Sequence, residues 1–219
     1  MPHIDLILGA DHGRRRTVRT EPTQRRSSQR LDALLDAAAE ITDEIGFERL
    51  TTQMVAERAG ASIGTVYRYF PDRVAVLHAL RERSVERFRL RIAERLASVS
   101  TDDWWRVVET ALDACTDLHR EEPGFSVIHR GDRDLAEDGE PEIAARMASV
   151  IEAEFGEASD SAELRFRLGV ALELGGALIN RAFTRDLDGD PRYLDEAKRI
   201  VRDYLEPHLA GRLIASNAA

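Results

Sequence analysis

Residues 52–69 combine small, glycine and polar residues at spacings that suit two short helices packed across each other. Ala56 places a small side chain where a second helix crosses the first, and Gly60, four residues later, tolerates the positive φ of a tight turn. Serine and threonine lie where each helix would begin, as caps for free backbone N–H groups. The apolar residues for the inner faces are Val55, Ala59, Ala61 and Val66. This combination predicts a helix-turn-helix, a motif that binds DNA.

The second of these predicted helices carries side chains suited to contact with a duplex. Small polar residues at its start let the backbone approach closely, and a helix N-terminus attracts phosphate. Recognition helices read base edges mainly with their N-terminal residues, whereas neighbouring elements hold phosphates. Tyr67 and Tyr69 offer phenolic hydroxyls to phosphates and ring faces to thymine methyl groups. The predicted exposed face consists of Ser62, Ile63, Thr65, Tyr67, Arg68 and Tyr69.

Further helices must hold this pair in place. Ser27 or Ser28 is expected to cap a helix whose apolar residues recur at helical spacing from Leu31 to Ile45, before Gly46 ends it. After the recognition helix, Asp72 is expected to cap a long helix over residues 73–98.

The rest of the chain also reads as helical, so the predicted fold class is all-α with about nine helices. Of the 219 residues 43% are hydrophobic, which is enough for a core, and Ala, Leu, Arg and Glu, all strong helix formers, dominate. No stretch alternates apolar and polar residues in the manner of a strand meander. Helices are predicted over residues 102–121, 140–155, 162–185 and 191–212, with Pro207 expected to kink or end the last one.

The charge distribution separates a basic N-terminus from an acidic body. Residues 11–30 contain seven arginines, and residues 1–80 balance 11 basic against 11 acidic side chains. Residues 81–219 therefore carry the whole net charge of −9, with 20 basic and 29 acidic side chains. We expect residues 1–26 to form a basic, disordered arm. The arm either adds to DNA affinity or is a solvated tail. If translation began at Val18, the residues before it would not belong to the protein.

Several classes of function lack the residues they need. The single cysteine, Cys115, excludes an internal disulfide framework and a multi-thiolate metal site, and we expect it to be a small buried hydrophobic residue. His119 and His129 lack close metal-ligand partners. No triad, paired-carboxylate or phosphate-loop arrangement suggests an enzyme, so neither a cofactor nor a metal is expected. The absence of a signal sequence and of about 20 consecutive apolar residues favours a cytoplasmic protein without membrane spans.

The run from Gly46 to Arg73 resembles the DNA-binding domain of TetR-family (tetracycline repressor) proteins. The residues that carry the resemblance are Thr51-Thr52, Val55-Ala56-Glu57-Arg58-Ala59-Gly60 and Thr65-Val66-Tyr67-Arg68-Tyr69-Phe70-Pro71-Asp72. The resemblance covers about residues 28–75. It implies an all-helical regulator with a helix-turn-helix domain over 27–72 and a ligand-binding and dimerisation domain over 73–219. Such proteins usually repress transcription until a small molecule binds the C-terminal domain.

The resemblance also implies roles for individual residues. By position, Thr51 or Thr52, Thr65, Tyr67 and Tyr69 would touch DNA, and Arg73 would hold a phosphate. Ile63 departs from the family, where a polar residue is common, and leaves a thymine methyl group as its contact. The full predicted set of DNA contacts is Thr51, Thr52, Ser62, Ile63, Gly64, Thr65, Tyr67, Arg68, Tyr69 and Arg73.

The C-terminal part offers candidates for a ligand pocket. Each aromatic or apolar candidate also fits ordinary core packing, and Glu173 also fits a helix edge. The acidic body slightly favours a cationic or neutral inducer. The candidate residues are Trp104, Trp105, Phe125, His129, Met147, Phe166 and Glu173.

A stripe with two central glycines, on the helix over 162–185, is the candidate for a homodimer interface together with the last helix. The same stripe also fits the core of a monomer. Its members are Leu168, Leu172, Gly175, Gly176, Ile179, Phe183, Ile200 and Tyr204.

Two other classes of protein share parts of this pattern. A nucleic-acid enzyme such as a recombinase would need catalytic carboxylates or a nucleophile on a separate fold, and no such set stands out. A helical protein that has lost DNA binding would not need the intact Thr65-Val66-Tyr67 and Arg73. The predicted function is therefore a ligand-responsive repressor that binds a palindromic operator in double-stranded DNA as a dimer.

Overall fold

The computed structural model describes residues 4–8, 22–99, 103–125, 142–156 and 160–209, and every regular element in these ranges is helical, as predicted. A single turn of 3₁₀ helix, Phe47–Arg49, follows the second α-helix. None of the helices in these ranges is long and apolar enough to cross a membrane. The α-helices are α1 (Ile4–Leu8), α2 (Pro22–Ile45), α3 (Thr52–Arg58), α4 (Ile63–Tyr69), α5 (Arg73–Ser98), α6 (Trp104–Glu121), α7 (Glu142–Phe155), α8 (Ser161–Arg185) and α9 (Pro191–Leu209).

The chain divides into two compact units. The described residues of Thr17–Arg87 and Glu121–Ala136 form the N-terminal unit, and those of Met1–Arg16, Phe88–Arg120 and Glu137–Ala219 form the C-terminal unit. Helix α5 contributes to both, up to Arg87 in the first and from Phe88 in the second.

The core of the N-terminal unit is built from the inner faces of α2, α3, α4 and the first turns of α5. Its apolar residues recur at three- and four-residue intervals, which places them on one stripe of each helix. Burying each large side chain contributes about 1.5–3 kcal/mol. The large, fully buried residues are Leu34, Ile41, Leu50, Val55, Val66, Val76 and Leu80.

The segment after α6 returns to the N-terminal unit through a close backbone contact. Gly124 has φ +74, and its N–H donates a hydrogen bond to Asp43 Oδ1 on α2 at 3.2 Å. A Cβ at this position would lie 2.9 Å from the carbonyl oxygen of Ala39, so only glycine fits without a shift of the backbone. Phe125 is buried beside it, and Glu122 forms an ion pair with Arg87 of α5.

The C-terminal unit depends on a close approach of α8 to α6 and α9. At Gly175 of α8 a Cβ would lie 2.5 Å from Leu112 Cδ2 and 3.3 Å from Val201 Cγ2. The glycine therefore lets two helices contact the backbone of α8 directly. Charged groups reinforce the unit, since Asp117 of α6 accepts hydrogen bonds from Arg95 and Arg91 of α5.

The expectation of a disordered arm over residues 1–26 is wrong at both of its described ends. Residues 4–8 form α1, which packs on α7 with Ile7 only 1% exposed, and Arg146 donates a hydrogen bond to the carbonyl of Leu6. Helix α2 begins at Pro22, so Ser27 lies within it rather than capping it. The polar, basic composition of residues 1–26 as a whole concealed this short apolar stretch, in which Ile7 is the fully buried side chain. The rest of the predicted arm lies outside the described residues.

Candidate nucleic-acid interface

The turn between α3 and α4 has the geometry that the sequence predicted. Thr51 caps α3, because its Oγ1 accepts a hydrogen bond from the N–H of Met54 at 3.2 Å. Gly60 has φ +60, the left-handed conformation that glycine adopts without strain. The N–H of Ala61 then donates to the carbonyl of Ala56 at 2.9 Å, which draws the two helices together.

Helix α4 is fixed at its N-terminus by Ser62 and presents Tyr67 to solvent. Ser62 Oγ accepts a hydrogen bond from the N–H of Thr65 at 3.1 Å, and the two hydroxyls lie 2.9 Å apart. Val66 is fully buried against the core, which sets the rotation of the helix. Tyr67, one residue on, is 54% exposed. The outer face of α4 is therefore rigid and accessible.

The other predicted contacts on α4 divide into exposed and partly buried residues. Gly64 and Arg68 are exposed, and nothing except the Ser62 hydroxyl approaches within 4.0 Å of a Cβ added at Gly64. Ile63 and Tyr69 are partly buried and pack on the core, so each offers only part of its side chain to a ligand.

Arg73 is held by its own unit at the start of α5. One guanidinium nitrogen donates to the carbonyl of Glu48 at 2.8 Å, and the group lies 5.6 Å from the centroid of the Phe47 ring. Because a guanidinium carries five N–H donors, these contacts orient Arg73 and still leave donors for a phosphate.

A basic groove lies between the first turns of α2 and the end of α4. Sequence reasoning placed Arg26 and Arg30 in the basic N-terminal run without connecting them to α4. Their four-residue spacing, which puts them on one face of a helix, was the available signal. The groove has a volume of about 550 Å³ and is lined by Arg26, Ser27, Arg30, Arg68 and Tyr69.

Hydrogen bonds fix the inner wall of this basic groove. The Tyr69 hydroxyl lies 3.1 Å from Ser27 Oγ, and the Arg68 guanidinium lies 5.3 Å from the centroid of the Tyr69 ring. The hydrogen bond with Ser27 lowers the pKa of Tyr69 from its ordinary value, and the charges of Arg68 and Arg30 act in the same direction.

Arg58, at the end of α3, is occupied within the unit. It donates hydrogen bonds to both carboxylate oxygens of Glu44 and to Glu40 of α2. The hydrogen bond from Arg58 lowers the pKa of Glu44 from its ordinary value. This bridge ties α3 to α2 and removes one cation from the set available to DNA.

Comparison with known proteins agrees with this geometry. Residues 34–80 match the family model described as bacterial regulatory proteins, tetR family, and residues 102–209 match the model described as tetracyclin repressor-like, C-terminal domain. The crystal structure of a TetR-family transcriptional regulator from Streptomyces coelicolor is 34% identical, has a TM-score of 0.70, and is matched over 83% of this chain and 98% of its own. This chain belongs to the TetR family.

Named relatives extend the comparison. The HTH-type transcriptional repressor KstR of Mycolicibacterium smegmatis is 41% identical over 59 residues, which is 27% of this chain and 29% of that repressor. The chain thus matches less than a third of the length of this curated relative. The nucleoid occlusion factor SlmA of Actinobacillus pleuropneumoniae is 28% identical over 162 residues, which is 71% of this chain and 76% of that protein.

The residues predicted to line a ligand pocket of this TetR-family regulator have different surroundings in the structure. Trp104 and Met147 are buried in the core of the C-terminal unit, as is Trp105, whereas Phe125 is buried in the N-terminal unit. Phe166 is 55% exposed and Glu173 is also exposed, seven residues later on the same side of α8. His129 lies outside the described residues.

The residues of the predicted dimer stripe, whose role stays a prediction, differ in their surroundings. Leu168, Gly175 and Ile179 are buried within the chain, and Gly175 faces Leu112 of α6 and Val201 of α9. Phe183 stacks on His119 of the same chain, with ring centroids 5.0 Å apart, and Tyr204 accepts a hydrogen bond from Arg167. The remaining members, Leu172, Gly176 and Ile200, are partly exposed.

Cys115 lies on α6, partly buried, with its sulfur 3.7 Å from His119 Nδ1. Burial raises the pKa of the Cys115 thiol to about 12, so the thiol is protonated at neutral pH. In the described part of the chain, no three His, Cys, Asp or Glu side chains are grouped in a way that could hold a metal ion.

Proposed function

We propose that this TetR-family regulator is a repressor that binds a palindromic operator as a homodimer and is released by a small molecule. The proposal rests on the arrangement of α4. Ser62 caps this helix, the buried Val66 fixes its rotation against the core, and Tyr67 is exposed to solvent. Because the helix is already ordered, it can present its side chains to the major groove without losing backbone conformational entropy when DNA binds. The name of KstR, a transcriptional repressor that is 41% identical to this chain over 59 residues, supports repression.

The outward face of α8 supports a dimer. Phe166 and Leu174 are 55% and 39% exposed, and Ala177 continues the same face at helical spacing. Exposed apolar side chains that line up on one helix are typical of a protein interface. The outward face of α9, in contrast, is charged, with Arg199 paired to Glu196 and Asp203. The proposed interface is therefore centred on α8, with a second copy of this chain as the partner.

Release by a ligand is supported by the continuity of α5. Its first turns pack in the N-terminal core through Val76 and Leu80, and its last turns contribute Ile92 and Leu96 to the C-terminal unit. A ligand that binds the C-terminal unit more tightly in the DNA-free state must weaken DNA binding by the same factor.

A gel shift with the DNA upstream of the protein's own gene tests DNA binding and its specificity. We expect a specific complex at physiological salt and much weaker binding to a scrambled duplex. Replacing Tyr67 with alanine should abolish the preference while leaving the circular dichroism spectrum unchanged, because the side chain is exposed. Equal affinity of the wild type for both duplexes would refute the proposed function.

Ligand release has its own assay, because both tryptophans, Trp104 and Trp105, are buried in the C-terminal unit. Their fluorescence should change when hydrophobic or cationic compounds bind this unit. The same compounds should release the operator at matching concentrations. Compounds that change the fluorescence without weakening DNA binding would argue against regulation by that ligand class.

A further inference from the structure

The basic groove beside α4 concentrates positive charge without an internal counter-charge. Arg26, Arg30 and Arg68 are all exposed, and among the residues the structure describes no carboxylate forms an ion pair with any of them. Most other arginines that the structure describes in the N-terminal unit are engaged, as Arg58 is with Glu40 and Glu44. Like charges one helical turn apart repel each other, so an anion in the groove would relieve this repulsion.

The wall of the groove is pre-ordered for an anion. Ser27 and Tyr69 link α2 to α4 through their hydroxyls, although they lie 42 residues apart in the chain. Arg68 rests against the Tyr69 ring, which restricts the conformations of its guanidinium. A planar guanidinium donates paired N–H groups to two phosphate oxygens, and hydroxyls add further donors.

We propose that Arg26, Arg30, Arg68 and Tyr69 form a site for a backbone phosphate of the DNA duplex, at the flank of the bases that α4 reads. The site rests on the proposed function. Successive residues of a helix are about 100° apart, so Arg68 and Tyr69 project away from the direction of Tyr67. Tyr67 faces the bases, and the groove holds the strand at the side. Phosphate contacts of this kind fix the register of a protein on DNA without reading its sequence.

A free phosphorylated molecule would offer the same oxygens, but the surroundings favour the duplex. The groove is open rather than enclosed, and it lies directly beside the exposed face of the recognition helix. Among the described residues its lining consists of three arginines, a serine and a tyrosine, which offer no buried aliphatic wall for the rest of a small molecule.

The test measures salt dependence with variants that each remove one positive charge. Arg26→Gln, Arg30→Gln and Arg68→Gln are compared with wild type by fluorescence anisotropy on the upstream DNA and on a scrambled duplex. Each variant should lose about tenfold in affinity for both duplexes alike, the scale of a hydrogen bond to a charged group. The slope of log affinity against log salt should fall by about 1 for each lost phosphate contact.

Arg106→Gln, on α6 of the C-terminal unit, is the matched control for net charge and should leave the slope unchanged. Tyr69→Phe, which keeps the packed ring, should weaken both complexes without unfolding. Slopes equal to wild type in all three arginine variants would overturn the proposal. So would inorganic pyrophosphate binding that Arg30→Gln abolishes while DNA binding stays intact, because the site would then belong to a free phosphate ligand. The scrambled duplex distinguishes the two kinds of failure. If the proposed function is wrong, the wild type binds the upstream and scrambled duplexes equally well. If only the phosphate site is wrong, the arginine variants keep the wild-type salt slope on both duplexes.

Discussion

Two adjacent glycines on α8 allow a sharp test of how the C-terminal unit is packed. Both lie inside the same helix, so alanine at either position should gain the same helix propensity, about 0.5–1 kcal/mol relative to glycine. Their surroundings differ. A Cβ at Gly175 would lie 2.5 Å from Leu112 Cδ2 and 3.3 Å from Val201 Cγ2, whereas a Cβ at Gly176 meets nothing within 4 Å.

The two substitutions should therefore shift stability in opposite directions. Gly176→Ala should stabilise the protein by the propensity gain alone. Gly175→Ala should carry an additional overpacking cost of about 1–3 kcal/mol, because Leu112 is itself buried and has little room to move. The two variants should differ by that cost, which corresponds to about 2–12 °C in Tm for a chain of this size.

Thermal unfolding followed by circular dichroism at one fixed protein concentration measures the difference, since the stability of a dimer depends on concentration. The propensity gain cancels between the variants, so the difference reports only the contact of α8 with α6 and α9. A Gly175→Ala protein as stable as Gly176→Ala would refute the packing described for this face of α8.

Further predictions concern the dimer, the start of α5 and the cysteine. Leu174→Arg should give monomers in sedimentation analysis with an unchanged circular dichroism spectrum at low temperature, whereas Leu187→Arg, at a loop residue 92% exposed, should leave the dimer intact. Arg73→Ala should weaken binding to all duplexes alike and also cost about 0.5–1.5 kcal/mol of stability, because the hydrogen bond to the Glu48 carbonyl is lost; unchanged stability would contradict that contact. Cys115 should react with iodoacetamide far more slowly in the folded than in the unfolded protein at pH 8.5, because its folded pKa is about 12. The raised pKa also means that the unfolded state loses this proton first, so this group's contribution to stability should fall as pH rises above about 8.5.

The DNA-binding motif was predictable because its determinants are local. Caps at Thr51 and Ser62, the turn at Gly60 and the buried Val66 act within a few residues of one another, and the structure places each as the spacing indicated. Family resemblance added the roles of residues in DNA contact, which remain predictions.

The residue-level predictions for the C-terminal unit depend on which helix packs against which, and local sequence patterns do not encode that. Periodicity identified an apolar stripe on α8, but it could not distinguish a stripe that meets α6 and α9 from one that meets a second chain. Gly175 and Ile179 belong to the first kind. The outward face, with Phe166 and Leu174, is less apolar in sequence, so periodicity did not single it out.

The basic groove was missed for the same physical reason. It brings Ser27 and Tyr69 together across 42 residues, and that contact depends on how α2 and α4 pack rather than on any local pattern.

DNase footprinting on the DNA upstream of the gene tests most directly whether α4 is the recognition helix of a dimer. The account predicts two protected half-sites related by two-fold symmetry, with centres about 10–10.5 base pairs apart or a multiple of that spacing. Tyr67→Ala should erase both half-sites together. A single, asymmetric protected site, or protection that survives Tyr67→Ala, would contradict it.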